Sequence, residues 1–219
     1  MAKTTLLMHE FITHDTRRFI FSRPDGLRWK PGQGVELALL NGHDKGEGHP
    51  FTPVSREDDR VLEFLIKRYA DDGMTCQLHA LEPGSELDVS EAFGTISYKG
   101  PGTFIAAGTG ITPFLAILRQ LEHRDELAGQ ALICSNKAPR DLICGKELEH
   151  LLGDRAVFTY TRKHKLSQQG NRIDAAFLRG HIENLDQTFY VCGPDGFVSS
   201  INDDLITLGV HPDRLVYEQ

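Results

Sequence analysis

Polar and apolar positions alternate in short runs over the first hundred residues, and the rhythm then changes. Runs at residues 6–13, 18–21, 34–40, 51–55, 61–69 and 86–89 read as β-strands of modest length. Turn-rich segments separate them: Arg23-Pro24-Asp25-Gly26, Lys30-Pro31-Gly32, residues 41–48 and Glu82-Pro83-Gly84. One short helix is expected at 74–80. Many short strands at close spacing predict a small antiparallel barrel. From residue 103 the chain alternates strand and helix. Strands are expected at 103–107, 131–135, 156–161, 189–192 and 215–217, and helices at 113–121, 146–152, 175–179 and 197–208. In the last helix Phe197, Ile201, Leu205 and Leu208 form one apolar stripe that ends at Gly209. Such alternation predicts a parallel sheet with helices on both faces, and ligands beyond the carboxyl ends of its strands. The fold class expected is therefore β followed by α/β, with residues 1–98 as one domain, 99–219 as the other, and Lys99-Gly100-Pro101-Gly102 as the junction.

The densest local signal is Ala106-Ala107-Gly108-Thr109-Gly110-Ile111-Thr112-Pro113. It follows a buried-strand pattern and precedes Phe114, Leu115, Ile117, Leu118 and Leu121, which share one helical face. Glycines at a strand-to-helix turn let backbone N–H groups approach an anion, and the helix N-terminus adds partial positive charge. Thr112 is expected as the N-cap and Pro113 at the first helical position. The chemistry implied is a diphosphate cradle; a plain tight turn is the competing reading, and the third glycine of the usual fingerprint is absent.

Charge narrows the field. The chain has 24 Lys+Arg against 31 Asp+Glu, a net charge of −7, with no aromatic-rich basic stretch, which argues against nucleic-acid binding. No apolar run reaches membrane-spanning length, and residues 1–10 lack a signal-peptide core, so a cytoplasmic protein without a membrane span is expected. Cys76, Cys134, Cys144 and Cys192 are 58, 10 and 48 residues apart, which fits neither zinc nor iron–sulfur ligation; free thiols and no metal centre are expected.

Seven motifs in order make the chain resemble the ferredoxin–NADP reductase family, in particular its short flavodoxin and ferredoxin reductases. They are His49-Pro50-Phe51-Thr52-Pro53-Val54-Ser55, Ile66-Lys67-Arg68-Tyr69, Gly73-Met74-Thr75, the Gly108 to Pro113 run, Thr161-Arg162, Cys192-Gly193-Pro194 and Tyr217-Glu218. The resemblance implies FAD held by the amino-terminal half and NADPH by the carboxyl-terminal half. It places the Thr52 hydroxyl beside the flavin N5, where a group that both donates and accepts can follow the change of protonation. It places His49, Pro50 and Phe51 along the flavin, although the family usually has Arg where His49 stands and Tyr where Phe51 stands. Gly73, Met74 and Thr75 are implied at the flavin diphosphate, with Ile66, Lys67 and Tyr69 nearby; strand alternation sends Lys67 and Arg68 to opposite sides.

On the nucleotide side, Gly108, Thr109, Gly110 and Thr112 are implied at the NADPH diphosphate. Thr161, Arg162 and Arg172, with Lys163 and Lys165 between, are implied at its 2′-phosphate. A solvated basic face is the bland alternative for that loop. Cys192, Gly193 and Pro194 are implied at the nicotinamide, with Cys192 positioning rather than attacking. Thr52, Cys192 and Glu218 thus form the expected reaction centre. Relatives place an aromatic ring two residues after the terminal Glu; here Gln219 follows Glu218, and Tyr217 precedes it. The function implied is hydride transfer from NADPH to FAD, then single-electron transfer to a small redox protein such as flavodoxin or ferredoxin. Two alternatives stay open: a reductase of free flavin, quinone or ferric iron, and a non-catalytic flavin-binding electron-transfer or sensing subunit.

Overall fold

The computed structural model describes residues 1–42, 45–69, 73–94, 96–162 and 172–218. Strands β1 (Ala2–Phe11), β2 (Thr16–Ser22), β3 (Val35–Leu39), β4 (Gly48–Phe51), β5 (Val61–Lys67) and β6 (Glu86–Val89) form an antiparallel sheet, in the order β4-β3-β6-β1-β2-β5. Its two edge strands are β4 and β5. The chain leaving β4 closes the gap between them, with Val54 N–H donating to the Glu63 carbonyl at 2.7 Å. A barrel results, filled by Leu6, Phe19, Phe21, Leu37, Leu62, Phe64 and Leu87. Helix α1 (Met74–His79) adds Met74 and Leu78 to that core.

Two strands differ from the reading of the sequence. β1 begins at Ala2 because its first residues pair with β6 (Ala2 with Val89, Thr5 with Glu86); from Leu6 onward it pairs with β2, with a bulge between Leu6 and Met8. The strand expected at 51–55 lies at Gly48–Phe51 instead, antiparallel to Val35–Ala38. Pro53 has no N–H for a ladder, so pairing stops before it; Pro50 is tolerated because β4 is an edge.

The second sheet is parallel, with order β11-β10-β7-β8-β9: β7 (Gly102–Ala107), β8 (Ala131–Asn136), β9 (Ala156–Tyr160), β10 (Thr188–Cys192) and β11 (Leu215–Tyr217). Helices α2 (Thr112–His123) and α3 (Gly145–Leu152) cover one face; α4 (Ala175–His181) and α5 (Asp195–Thr207) cover the other. The chain order reverses between β7 and β10, which makes that pair the topological switch point. On α2 the stripe Phe114, Leu115, Ile117, Leu118 and Leu121 is buried, each side chain contributing about 1.5–3 kcal/mol. The same cluster contains Val54, Leu65 and Ile96 from the first half of the chain, so barrel and parallel sheet meet through one continuous apolar seam. No helix among the described residues is long and apolar enough to cross a membrane.

His79 closes the barrel end. Its Nε2 lies 2.8 Å from the Ile66 carbonyl and its ring packs edge-on against Phe19. Burial, with help from Arg17, Arg68 and His9, outweighs the Ile66 hydrogen bond and holds its pKa below the usual histidine value. A histidine kept neutral in the fold adds stability above its unfolded pKa of about 6.5, and that stability is lost as pH falls toward the folded value. Denaturant titrations between pH 7.5 and 5.5 should therefore show a steeper loss for the wild type than for His79→Gln. Parallel slopes would contradict this.

Candidate functional site

A cleft of about 1290 Å³ runs between the barrel and the carboxyl ends of β7, β8 and β10. Both halves line it. Its floor on the parallel side is the turn after β7. Gly108 has φ +56, in the left-handed region, and the place of its missing Cβ is open space. Gly110 is required for a different reason: a Cβ there would sit 2.3 Å from the Cys192 carbonyl, so only glycine lets the ends of β7 and β10 approach. Thr112 is not the N-cap. Residues Gly108–Ile111 form a 3₁₀ turn, Ile111 precedes the helix, and Thr112 is already its first residue, with Oγ1 donating to the Thr109 carbonyl at 3.0 Å. The Thr112 N–H is donated to the Thr109 carbonyl and Pro113 has none, so the backbone donors left for an anion are those that open the 3₁₀ turn beside Gly108.

The barrel contributes His49, Pro50, Phe51, Thr52, Ile66, Lys67, Tyr69, Met74 and Thr75 to the lining. His49 Nε2 is buried without a hydrogen-bond partner, the Glu47 carboxylate standing 4.0 Å off. Lys67 faces the cleft and Arg68 is exposed outside it. The Lys67 ammonium is 2.6 Å from Asp15. Burial raises the Asp15 pKa, but the hydrogen bonds from Lys67 and Thr13 outweigh it and leave a net lowering. Tyr69 crosses the cleft, its hydroxyl 3.4 Å from Thr109 Oγ1.

From the parallel side come Gly108, Thr109, Gly110, Thr112, Thr161, Arg172, Cys192, Gly193, Pro194 and Glu218. Two expected residues do not line the cleft. Gly73 is exposed at the start of α1, and Arg162 is exposed with its N–H donated to the Lys137 carbonyl. Lys163, Lys165 and Gln219 lie outside the described residues. The cleft also takes Ser135, Asn136, Lys137 and Asp141, which reading motifs alone passed over; their position at and beyond the carboxyl end of a parallel strand was the available signal. The barrel wall of the cleft also includes Gly32, Gly34, Phe93 and Gly94.

The donor set suits a dinucleotide: an open glycine turn at a helix start, hydroxyls at Thr52, Thr75, Thr109 and Thr112, and an unpartnered imidazole nitrogen. Residues 3–98 match the oxidoreductase FAD-binding domain family and residues 104–203 the oxidoreductase NAD-binding domain family. The chain belongs to the ferredoxin reductase-like family of FAD- and NAD-binding oxidoreductases. NADH-cytochrome b5 reductase 2 of Mycosarcoma maydis is 28% identical over 86% of this chain and 60% of its own length. The chain thus spans about three fifths of that relative. Nitrate reductase [NADPH] of Phytophthora infestans is 28% identical over 88% of this chain and 26% of its own. The solved ferredoxin NADP+ reductase of Neisseria gonorrhoeae, 24% identical, superimposes with a TM-score of 0.84 over 99% of this chain and 97% of its own, which shows the shared fold.

Three of the chain's four thiols are poor nucleophiles. Burial pushes Cys134, Cys144 and Cys192 up to about 12, Cys192 with further help from Glu218 and Cys144 from Glu147. All four cysteines are free, and Cys76 is half-buried on α1. Disulfide-exchange labelling of the native protein at pH 8 should give one fast thiol, lost in Cys76→Ser. Fast labelling of Cys192 would contradict its assignment as an un-ionised wall of the cleft.

Proposed function

We propose that the protein passes hydride from NADPH to FAD inside this cleft and sends electrons singly to a small redox protein. One observation carries the reading: Thr52 from the barrel and Cys192 and Glu218 from the parallel sheet line a single cleft, with the Gly108 turn on its floor. Bound FAD supplies the conversion between two-electron and one-electron transfer that a nicotinamide lacks. The chain supplies the rest. Residues 1–98 hold FAD, through His49, Pro50, Phe51, Ile66, Lys67, Tyr69, Met74 and Thr75, with Thr52 presenting its hydroxyl at the reacting ring. Gly73 contributes only the start of α1.

Residues 99–219 hold the nucleotide. Gly108, Thr109, Gly110 and Thr112 take the diphosphate, Thr161 and Arg172 the 2′-phosphate, and Cys192, Gly193 and Pro194 the nicotinamide. Cys192 acts as a small neutral wall, and Glu218 keeps a carboxylate near the reacting rings. Stacked rings and excluded water account for most of the acceleration in such an arrangement.

NADPH is placed ahead of NADH because β9 runs into Thr161 and Arg162 with no carboxylate there, and Arg172 returns to the cleft. The Mycosarcoma maydis relative is named for NADH and the Phytophthora infestans one for NADPH, so the test is direct. Arg172→Ala should raise the KM for NADPH about tenfold and leave that for NADH nearly unchanged, the effect of one charge-assisted contact. Equal changes for both would remove the assignment. Arg162→Ala, outside the cleft lining, should have the smaller effect.

His49 stands where the family usually has Arg, and an imidazole lacks the permanent charge and two-pronged donor set of a guanidinium. His49→Arg should therefore bind FAD several-fold more tightly in a fluorescence titration. Unchanged or weaker affinity would contradict the role. For the acceptor, the FAD-loaded protein should bleach anaerobically with NADPH and then reduce flavodoxin, ferredoxin or cytochrome b5 faster than free flavin, quinone or ferric iron. Failure to bleach favours the non-catalytic subunit; faster turnover of small molecules overturns the protein acceptor.

A further inference from the structure

Arg119 sits on α2 two turns beyond Thr112, about 10 Å along the axis. Its side chain is only 18% exposed. Nε and Nη2 make a two-pronged contact with the Glu147 carboxylate of α3, at 2.5 and 2.9 Å. Nη1 donates to the Val54 carbonyl at 3.0 Å and to Glu63 Oε1 of β5 at 3.1 Å. The N–H of that same Val54 is donated to the Glu63 carbonyl. Both backbone polar groups of Val54 are therefore gripped, one by the barrel and one by a helix of the parallel sheet. Val54 is two residues from Thr52. Helix α2 begins at the Gly108 turn, so it works as a ruler with the nucleotide turn at one end and the Thr52 segment fastened further along.

Stability alone does not call for this arrangement. One guanidinium faces two carboxylates, and burial opposes its charge, although Glu147 and Glu63 together push its pKa above the usual value. Well-packed apolar residues commonly hold such a seam as firmly or better. What they lack is direction: a planar fork with a third prong fixes distance and angle together, and a lysine has no such fork.

We propose that Arg119 is a positioning residue, setting the separation between the Thr52 segment and the Gly108 turn and hence the distance hydride travels. This rests on the reading that flavin and nicotinamide meet in the cleft. The test compares wild type, Arg119→Lys and the triple variant Arg119→Met/Glu63→Met/Glu147→Met, each loaded with FAD. Melting temperature, bound FAD, KM for NADPH and the anaerobic flavin-reduction rate at saturating NADPH are recorded for each. The triple variant should keep the wild-type melting temperature or exceed it, with FAD content and KM within about twofold. Its reduction rate should fall at least about tenfold, the size expected for a sub-ångström misplacement of reacting groups. Arg119→Lys, which keeps the charge, should fold and also reduce more slowly at unchanged KM.

A wild-type rate in the triple variant overturns the proposal, as does a rate loss that tracks loss of FAD. Should the triple variant not fold, a wild-type rate in Arg119→Lys overturns it. Wild-type protein that fails to bleach defeats the underlying reading instead, so the two failures are distinct.

Discussion

The apolar seam between barrel and parallel sheet governs the geometry of everything else. Val54, Leu65 and Ile96 pack into the same cluster as Phe104, Phe114, Ile117 and Leu118, so neither half buries its surface without the other. Interiors of this kind are close-packed and transmit displacement rather than absorb it. The cleft opens beside that seam. Its two walls are thereby fixed relative to each other before any ligand enters, which is the preorganisation that direct transfer between two bound rings requires.

Location on the sheet follows from topology. Strand order reverses between β7 and β10, and the gap left by diverging connections is where the Gly108 turn and the Cys192-Gly193-Pro194 segment face one another. Gly110 permits that approach by having no side chain to strike the Cys192 carbonyl. Lys67 at the site is paired with Asp15, and Arg119 behind it with Glu63 and Glu147. His49 Nε2 stands apart, buried with no hydrogen-bond partner. The ferredoxin reductase-like fold thus provides a frame, and on the function proposed above a small number of unpaired groups on it supply the binding chemistry.

Local physics made much of this readable from sequence. A strand–glycine–helix turn announces itself because the buried run, the glycines and the helical stripe are adjacent in the chain, and the barrel-then-α/β order follows from two different hydrophobic periods. Capping was less accessible: Thr112 and Pro113 satisfy the usual preferences, yet the intervening 3₁₀ turn moved the helix start by one residue. The strand expected at 51–55 shifted because pairing with β3, not propensity, sets its limits. Arg119 was invisible for a stronger reason. Beside an apolar stripe it looks like any helix-surface arginine, and its partners are 28, 56 and 65 residues away. Only the folded chain brings those carboxylates and that carbonyl together.

On the function proposed above, a reduced nicotinamide and a flavin react directly inside one cleft. Anaerobic stopped-flow reduction of the FAD-loaded protein by NADPH, compared with NADPH carrying deuterium at both C4 positions, tests that contact. Loss of flavin absorbance should be markedly slower with the deuterated nucleotide. No loss of absorbance with NADPH or NADH, or equal rates with both isotopic forms even when reduction is made single-turnover, would contradict it.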